Sequence, residues 1–334
     1  MAITDPKPGP PDDPQSRLDA AILGRAPEFT AEQVALGADV SVEDARRLWR
    51  ALGFPDVGDE AAFTLDDVGA LVRLREAVQA GVDLDTLTRV TRAVGRTMAR
   101  LADWEVANVL PSFEELYGSL SDDDRMDKAV EFVNAITPSF ELLLLYTWRR
   151  QLAAAAIRSG ALVAAHDEVH LTATIGFADL VSFTALSNEL DDDQIGDLVE
   201  VFEARCHDVV SSHRGRIIKS IGDSVLFVAE TPEDGIDIAL DMVAVIGGDT
   251  RLPDVKVGLA TGPLVQRMGD VYGPAVNLAA RLTSVARRNR VIIDSETAGL
   301  LSPEDFETRL LPARPLRGFG EVEPLTVRRT RPRH

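Results

Sequence analysis

The chain holds one cysteine, Cys206, so no disulfide can form within it. A lone thiol fits a reducing compartment. Its place in an apolar helical pattern marks it as a small core residue. Positive charge is scarce: 35 Lys and Arg face 54 Asp and Glu, a formal net charge of −19. That balance excludes a general affinity for nucleic acid or an anionic membrane surface. Nucleotides can still bind an acidic protein locally, through a metal. No cationic stretch followed by an apolar one opens the sequence, so no signal peptide is expected. No uninterrupted apolar run reaches the ~18 residues a transmembrane helix needs. The longest, 142–146 and 152–157, are separated by Arg149, Arg150 and Gln151. The sequence reads as cytoplasmic, without a membrane span.

What is present is ample apolar content, 45% of 334 residues, enough for two domains of ordinary size. Residues 1–16 are rich in Pro and Asp and are expected to be a disordered tail. From about Leu18 to Ala165 the patterning is helical. Thr30 and Ser41 are N-cap candidates, with Gln33 and Asp44 three residues on. Leu71, Leu74, Val78 and Val82 keep an apolar stripe at helical spacing. Residues 83–101 and 121–136 read as further amphipathic helices. A long helix over 139–165 is predicted to lead into the second half, where it could carry a signal or make a dimer seam. Strand signals are nearly absent here.

Within this all-α half, residues 30–49 have the spacing of a helix-turn-helix with a short Gly-containing turn. The second helix carries Arg46, Arg47 and Arg50, but also Glu43 and Asp44, and its surroundings are not basic. A packed helix pair is therefore favoured over a DNA reader.

After His166 the pattern changes. A strand is expected at 169–177, a helix at 192–212, and strands at 216–221 and 224–229 around the turn Gly222-Asp223. A helix at 232–246 follows, then strands at 255–261 and 264–268, a helix at 274–287 and a short strand at 291–293. Arg317-Gly-Phe-Gly and then 324–328 are expected to make a final edge hairpin. This order predicts an α+β fold with one mixed or antiparallel sheet and flanking helices.

Asp179 and Asp223 each sit where an apolar run ends. Brought together at adjacent strand ends, they could hold Mg²⁺ or Mn²⁺, which bind through one or two carboxylates plus substrate phosphates. Leu180-Val-Ser-Phe183-Thr184 follows the first, and a helix starting there would aim free N–H groups at phosphates. Asn277 and Arg281 lie four apart on one face of a helix begun by Pro274, suited to a sugar and a phosphate undergoing transfer.

Together, Phe177-x-Asp179-x-x-x-Phe183-Thr184, Ile218-Lys219-x-x-Gly222-Asp223 and Gly269-Asp270-x-x-Gly273-x-x-Val276-Asn277-x-Ala-x-Arg281 resemble the class III nucleotidyl cyclases. The nearest resemblance is to actinobacterial cytosolic adenylyl cyclases with an N-terminal helical regulatory domain. It covers about residues 168–330. It implies that Asp179, Asp223 and the carbonyl of Leu180 bind two Mg²⁺ or Mn²⁺ per site. Lys219 and Asp270 would select the base, and Phe183 and Thr184 would line the substrate. A Lys donor and an Asp acceptor match the N1 and N6 edge of adenine, so ATP is expected rather than GTP. Asn277 would orient the ribose, Arg281 would stabilise transition-state charge, and Arg317 would touch the triphosphate. The family builds its site between two cyclase domains, and this chain has one, so a head-to-tail homodimer is implied. The domains expected are a tail (1–16), an all-α regulatory domain (17–138), a helical linker (139–167) and the cyclase domain (168–334).

The function so implied is conversion of ATP to 3′,5′-cyclic AMP and pyrophosphate under control of the helical domain. Two other readings are a signal-binding module with low cyclase activity and a DNA-binding regulator. The N-terminal domain could take a small-molecule, lipid or pH signal. His166 and His170, at the junction, are the candidates for the last.

Overall fold

A computed structural model describes residues 14–164, 171–267 and 269–330. The chain divides into two compact units, Met1–Ile157 and Arg158–His334. The first is helical: α1 (Pro14–Leu23), α2 (Ala31–Ala38), α3 (Val42–Leu52), α4 (Leu65–Gln79), α5 (Leu84–Tyr117) and α6 (Asp122–Ala164), which continues past the division. Helix α1 begins inside the stretch expected to be a tail; residues 1–13 lie outside those described.

The expected caps are present. Thr30 and Gln33 form a capping box on α2, and Ser41 Oγ accepts from the amide of Asp44 at the start of α3. The small core gathers Val34, Ala35, Ala45, Leu48, Trp49 and Leu71. Trp49 stacks on Phe63, whose backbone bridges to Phe29. Of the predicted stripe, Leu71 is buried but Val78 and Val82 are exposed.

The turn and the helix bounds expected here are corrected, while the favoured packed helix pair is present. The turn between α2 and α3 runs through Asp39, left-handed at φ 55, while Gly37 lies within α2. A helix-turn-helix reader would also need α3 free. Instead α3 packs on α5, and Arg47 pairs with Asp85 at 2.5 Å. The helices expected at 121–136 and from 139 are one, because Pro138 sits inside α6; α5 likewise runs on through Pro111, well beyond residue 101. Finally, α6 is long and apolar enough, by length and composition, to cross a membrane, with a mean hydropathy of 1.2 and none of that window buried. Uninterrupted runs miss it, since isolated polar residues break the stretch without ending it.

The second unit is built on β1 (Leu171–Leu180), β2 (Gly215–Ile221), β3 (Ser224–Ala229), β4 (Val255–Arg267), β5 (Asp270–Tyr272), β6 (Arg290–Ile293), β7 (Phe306–Leu310), β8 (Arg314–Leu316), β9 (Gly320–Val322) and β10 (Leu325–Arg329). Its helices are α7 (Phe183–Leu186), α8 (Asp192–Ser211), α9 (Pro232–Gly247), α10 (Pro274–Val285) and α11 (Ser295–Leu300). The main sheet has the order β2-β3-β1-β4-β6-β10-β7, with β5 folded onto β4 and the β4–β6 pair alone parallel. The α+β mixed sheet expected from the sequence is therefore present.

Alternating side chains give the sheet two faces. Ala178, Leu180, Val225, Phe227, Val257 and Leu259 face one way and pack with Phe202 and Cys206 of α8 and Ile238 and Met242 of α9. Ala173, Ile175, Leu226, Val228 and Ala260 face the other and pack with Ala275, Ala279 and Leu282 of α10. Helix α10 comes so close to β4 that a Cβ on Gly258 would sit 2.3 Å from the amide nitrogen of Thr283.

Two details differ from the expected element list. Strands 255–261 and 264–268 are one strand as far as Arg267; Met268 lies outside the described residues. Pro263 is tolerated within it because β6 pairs β4 only over residues 256–259, leaving an edge where no ladder bond is lost. Residues 324–328 do not complete a hairpin with Arg317. They enter the main sheet as part of β10, between β6 and β7, and β8 pairs with β9.

Candidate active site

Asp179 is the penultimate residue of β1. Across the sheet it stands opposite Ser224 of β3 and Lys256 of β4. Directly paired residues share a face, so all three side chains rise on the α10 face. The Ser224 hydroxyl donates to Asp179 Oδ1, and Lys256 Nζ lies 2.8 Å from Oδ2. Asp223 follows Gly222, whose φ of 59 the tight β2–β3 turn requires. Its carbonyl accepts from the Leu180 amide at 3.0 Å, which ties the turn to the end of β1. The Asp223 carboxyl is held above its ordinary pKa, first by burial and then by the Asp179 carboxylate, while Lys256 pulls it back.

Two neighbouring carboxylates make a place for a cation. Among the described residues no three His, Cys, Asp or Glu side chains converge. A cation between Asp179 and Asp223 would therefore complete its shell with substrate oxygens and water, as Mg²⁺ does. The donor set fits such an ion. Lys256 and Ser224 escaped the sequence reading. Nothing near them in sequence marks them, and only the register of β1 against β3 and β4 brings them to Asp179.

A second pole lies on the same face. Strand β2 carries a bulge: Ile217 pairs with Phe227, yet Lys219 pairs with the next residue, Leu226. Phe227 belongs to the core under α8 and α9, and Leu226 to the core under α10. The extra residue, Ile218, thus turns Lys219 onto the α10 face, a use of bulges common beside functional sites. There Lys219 Nζ meets Asp270 Oδ2 of β5 at 2.6 Å. Asp270 also accepts from the Val271 amide at 2.8 Å. The Lys219 hydrogen bond, more than any other partner, holds the Asp270 carboxyl below the usual carboxylate range.

Helix α10 buries Ala275, Ala279, Leu282 and Thr283 and leaves Asn277 and Arg281 exposed together. Arg317 is exposed in the turn between β8 and β9. Phe183 and Thr184 fall in the four-residue α7. The Phe183 ring is half-buried against the core under α8 and α9, and Thr184 is exposed. Leu180 is buried. The structure thus joins Asp179 to Asp223 and Lys219 to Asp270 within one chain. Among the described residues, no side-chain hydrogen bond or ion pair joins Asn277, Arg281 or Arg317 to either pair.

Residues 165–327 match the family described as the adenylate and guanylate cyclase catalytic domain. An adenylate cyclase of Streptomyces coelicolor is 36% identical over 97% of this chain and 94% of its own length. One from Streptomyces griseus is 39% identical over 86% of this chain and 72% of its own. The solved adenylyl cyclase CyaB from P. aeruginosa aligns at 22% identity and a TM-score of 0.42, covering 48% of this chain and 95% of that one. The chain belongs to the class III nucleotidyl cyclases, and within them to the adenylate cyclases.

Proposed function

We propose that the protein converts ATP to 3′,5′-cyclic AMP and pyrophosphate at the interface of a head-to-tail homodimer, with two Mg²⁺ or Mn²⁺ per site. The observation that carries this reading is the Lys219–Asp270 pair, already formed at 2.6 Å. It offers a donor and an acceptor side by side, and adenine presents the complementary pattern. The ribose 3′-oxygen would attack the α-phosphorus in line, and the bond to the β-bridging oxygen would break as pyrophosphate leaves. When bound, the cation would neutralise phosphate charge and ease ionisation of the 3′-hydroxyl. Asp179 and Asp223 would hold it, with the Leu180 carbonyl. Lys256, 2.8 Å from Asp179, would keep that carboxylate in place. Asn277 would orient the ribose, and Arg281 would meet the charge that grows on the transferring phosphoryl group. Arg317 would hold the triphosphate, with Thr184 and the start of α7 at its other side.

Dimerisation is supported by the separation of the poles. Lys219 is engaged by β5, whereas Asp223, past the end of β2 in the turn, is tied to β1. Each chain therefore carries two half-sites. Activity with Mn²⁺ on ATP and on GTP, in the wild type, Asp223→Ala and Lys219→Glu, tests the chemistry. ATP should be strongly preferred, and undiminished activity in Asp223→Ala would sink the metal assignment. Mixing Asp223→Ala with Arg281→Ala tests the dimer. Each should be nearly inactive alone, and the mixture should recover about a quarter of wild-type activity through mixed dimers with one intact site. No recovery would argue against sites shared between chains.

The N-terminal helices would regulate this site through α6, which is continuous from Asp122 to Ala164. Removing residues 1–165 should change specific activity several-fold; an unchanged rate would count against control from that side. His166 and His170, the candidates for a pH signal, lie outside the described residues.

A further inference from the structure

Helix α10 covers β1, β4 and the near part of β6, but β10 and β7 extend the sheet beyond it. On this uncovered stretch the α10 face is strongly basic. Strand register explains why. Thr326 of β10 pairs with Ile292 of β6 and Arg309 of β7, and Arg328 pairs with Glu307. The same register, carried two residues on, sets Arg328 beside Arg290. The opposite face of these strands is apolar: Val291, Ile293, Phe306 and Val327 are buried in the core under α8 and α9. The arginines thus occupy every second position because the other positions hold the fold together.

These side chains, with Arg287 after α10 and Arg314 of β8, line a cavity of about 550 Å³ floored by Ile292. That is the size of a small-ligand site. Glu307 is the one acidic side chain among its lining residues, and it is taken by Arg328 at 2.6 Å. Arg287, Arg290, Arg309 and Arg314 have no ion-pair partner among the described residues. In a chain with a net charge of −19, four unneutralised guanidinium groups around one hollow make a local inversion of the field. Guanidinium forks match phosphate oxygens two at a time. The concave shape and the negative charge of the rest of the molecule favour a compact anion over an extended polyanion.

We propose that this cavity is an anion site that takes a short polyphosphate group, either an inorganic one such as tripolyphosphate or the phosphate tail of a nucleotide. It uses none of the residues assigned to cyclisation. Its binding therefore stands or falls separately from the reaction.

The test is calorimetric titration of the full chain in chelator, with tripolyphosphate, pyrophosphate, ATP and AMP as separate arms. Tripolyphosphate should bind the wild type. Affinity should fall about tenfold or more in Arg309→Gln/Arg314→Gln, which removes two charge-assisted contacts, and should be retained in Arg309→Lys/Arg314→Lys. The lysine pair also shows that the fold survives change at these exposed positions. Asp223→Ala and Arg281→Ala should leave this binding unchanged. Equal affinity for ATP and tripolyphosphate identifies the inorganic group as the recognised part. Tighter ATP binding that is still lost in the Gln pair identifies a nucleotide. The proposal is overturned if the Gln pair binds tripolyphosphate as the wild type does. It is equally overturned if Arg281→Ala abolishes the binding, or if AMP binds and tripolyphosphate does not.

Discussion

The two units use apolar residues in opposite ways. In the cyclase unit they are hidden: Phe202, Phe227, Ile238 and Met242 are each 0% exposed, packed where helices cross a sheet. In the helical unit the two longest elements leave theirs outside. Helix α6 has no buried residue among those described and presents Leu142 at 70% and Trp148 at 58% exposure. Helix α5 likewise shows Val90, Val94, Trp104 and Val106. A sheet with helices on both faces satisfies its own apolar side chains, whereas a long solitary helix can cover only a stripe of itself. The cyclase unit owes its stability to its own interior. The exposed apolar side chains of the long helices fit the dimer and control proposed for them.

Four measurements would break or sharpen that contrast. The largest effect is expected in the sheet core. Phe227→Ala should destabilise the cyclase unit by about 3–5 kcal/mol in denaturant unfolding; a loss under 1 kcal/mol would mean the core is not close-packed. Next, Asp223→Ala should lower the rate on ATP by about 10²–10³-fold while the unfolding midpoint in chelator stays within a few degrees. A collapse of the fold instead would make that carboxylate structural. A smaller change is expected from Lys256→Met, which removes the competitor for Asp179. Mn²⁺ should bind about tenfold more tightly by paramagnetic resonance titration, and weaker binding would show that Lys256 orders the site rather than guards it.

Smallest of all should be Leu142→Ala on α6, within about 0.5 kcal/mol for the unassociated chain. A larger loss at high protein concentration than at low would locate that residue in an association seam. The pH behaviour follows the same divide. Burial pushes the Cys206 thiol up to about 12, with the nearby Glu203 adding to the effect. A thiol whose pKa is raised by folding stabilises the fold below its unfolded value and loses that contribution as the solution turns alkaline. Native protein at pH 8 should resist alkylation at Cys206, and the cyclase unit should weaken above about pH 9. Rapid labelling at pH 8 would show that α8 opens.

Much of the cyclase unit was legible in the sequence. Helices α8, α9 and α10 and strands β2 and β3 each announce themselves by period, cap or turn. Six of the proposed site residues, Asp179, Lys219, Asp223, Asp270, Asn277 and Arg281, sit in three compact motifs. What was not legible depended on pairing between distant strands. Lys256 looks like any lysine at the start of a strand until β1 is laid against β4. Residues 324–328 follow a hairpin and read as its continuation, yet β10 enters the main sheet because its apolar Val327 completes the core. In the helical unit, the expected helices stop at 101 and 136, short of Pro111 and Pro138. Both helices run through them, so local preference yields to the continuity of a long helix.

The bulge at Ile218 bears on how nucleotide choice could change over time. Strand parity behaves like a reading frame. Deleting Ser220, between Lys219 and the turn, would absorb the bulge, set Lys219 opposite Val225 on the face under α8 and α9, and leave Asp223 in the turn where it stands. Under the roles proposed for these residues, recognition of the base would be lost while the cation site persisted. The two capacities of this sheet are thus separable by a single codon, and selectivity in such a fold is written in the count of residues as much as in their kind.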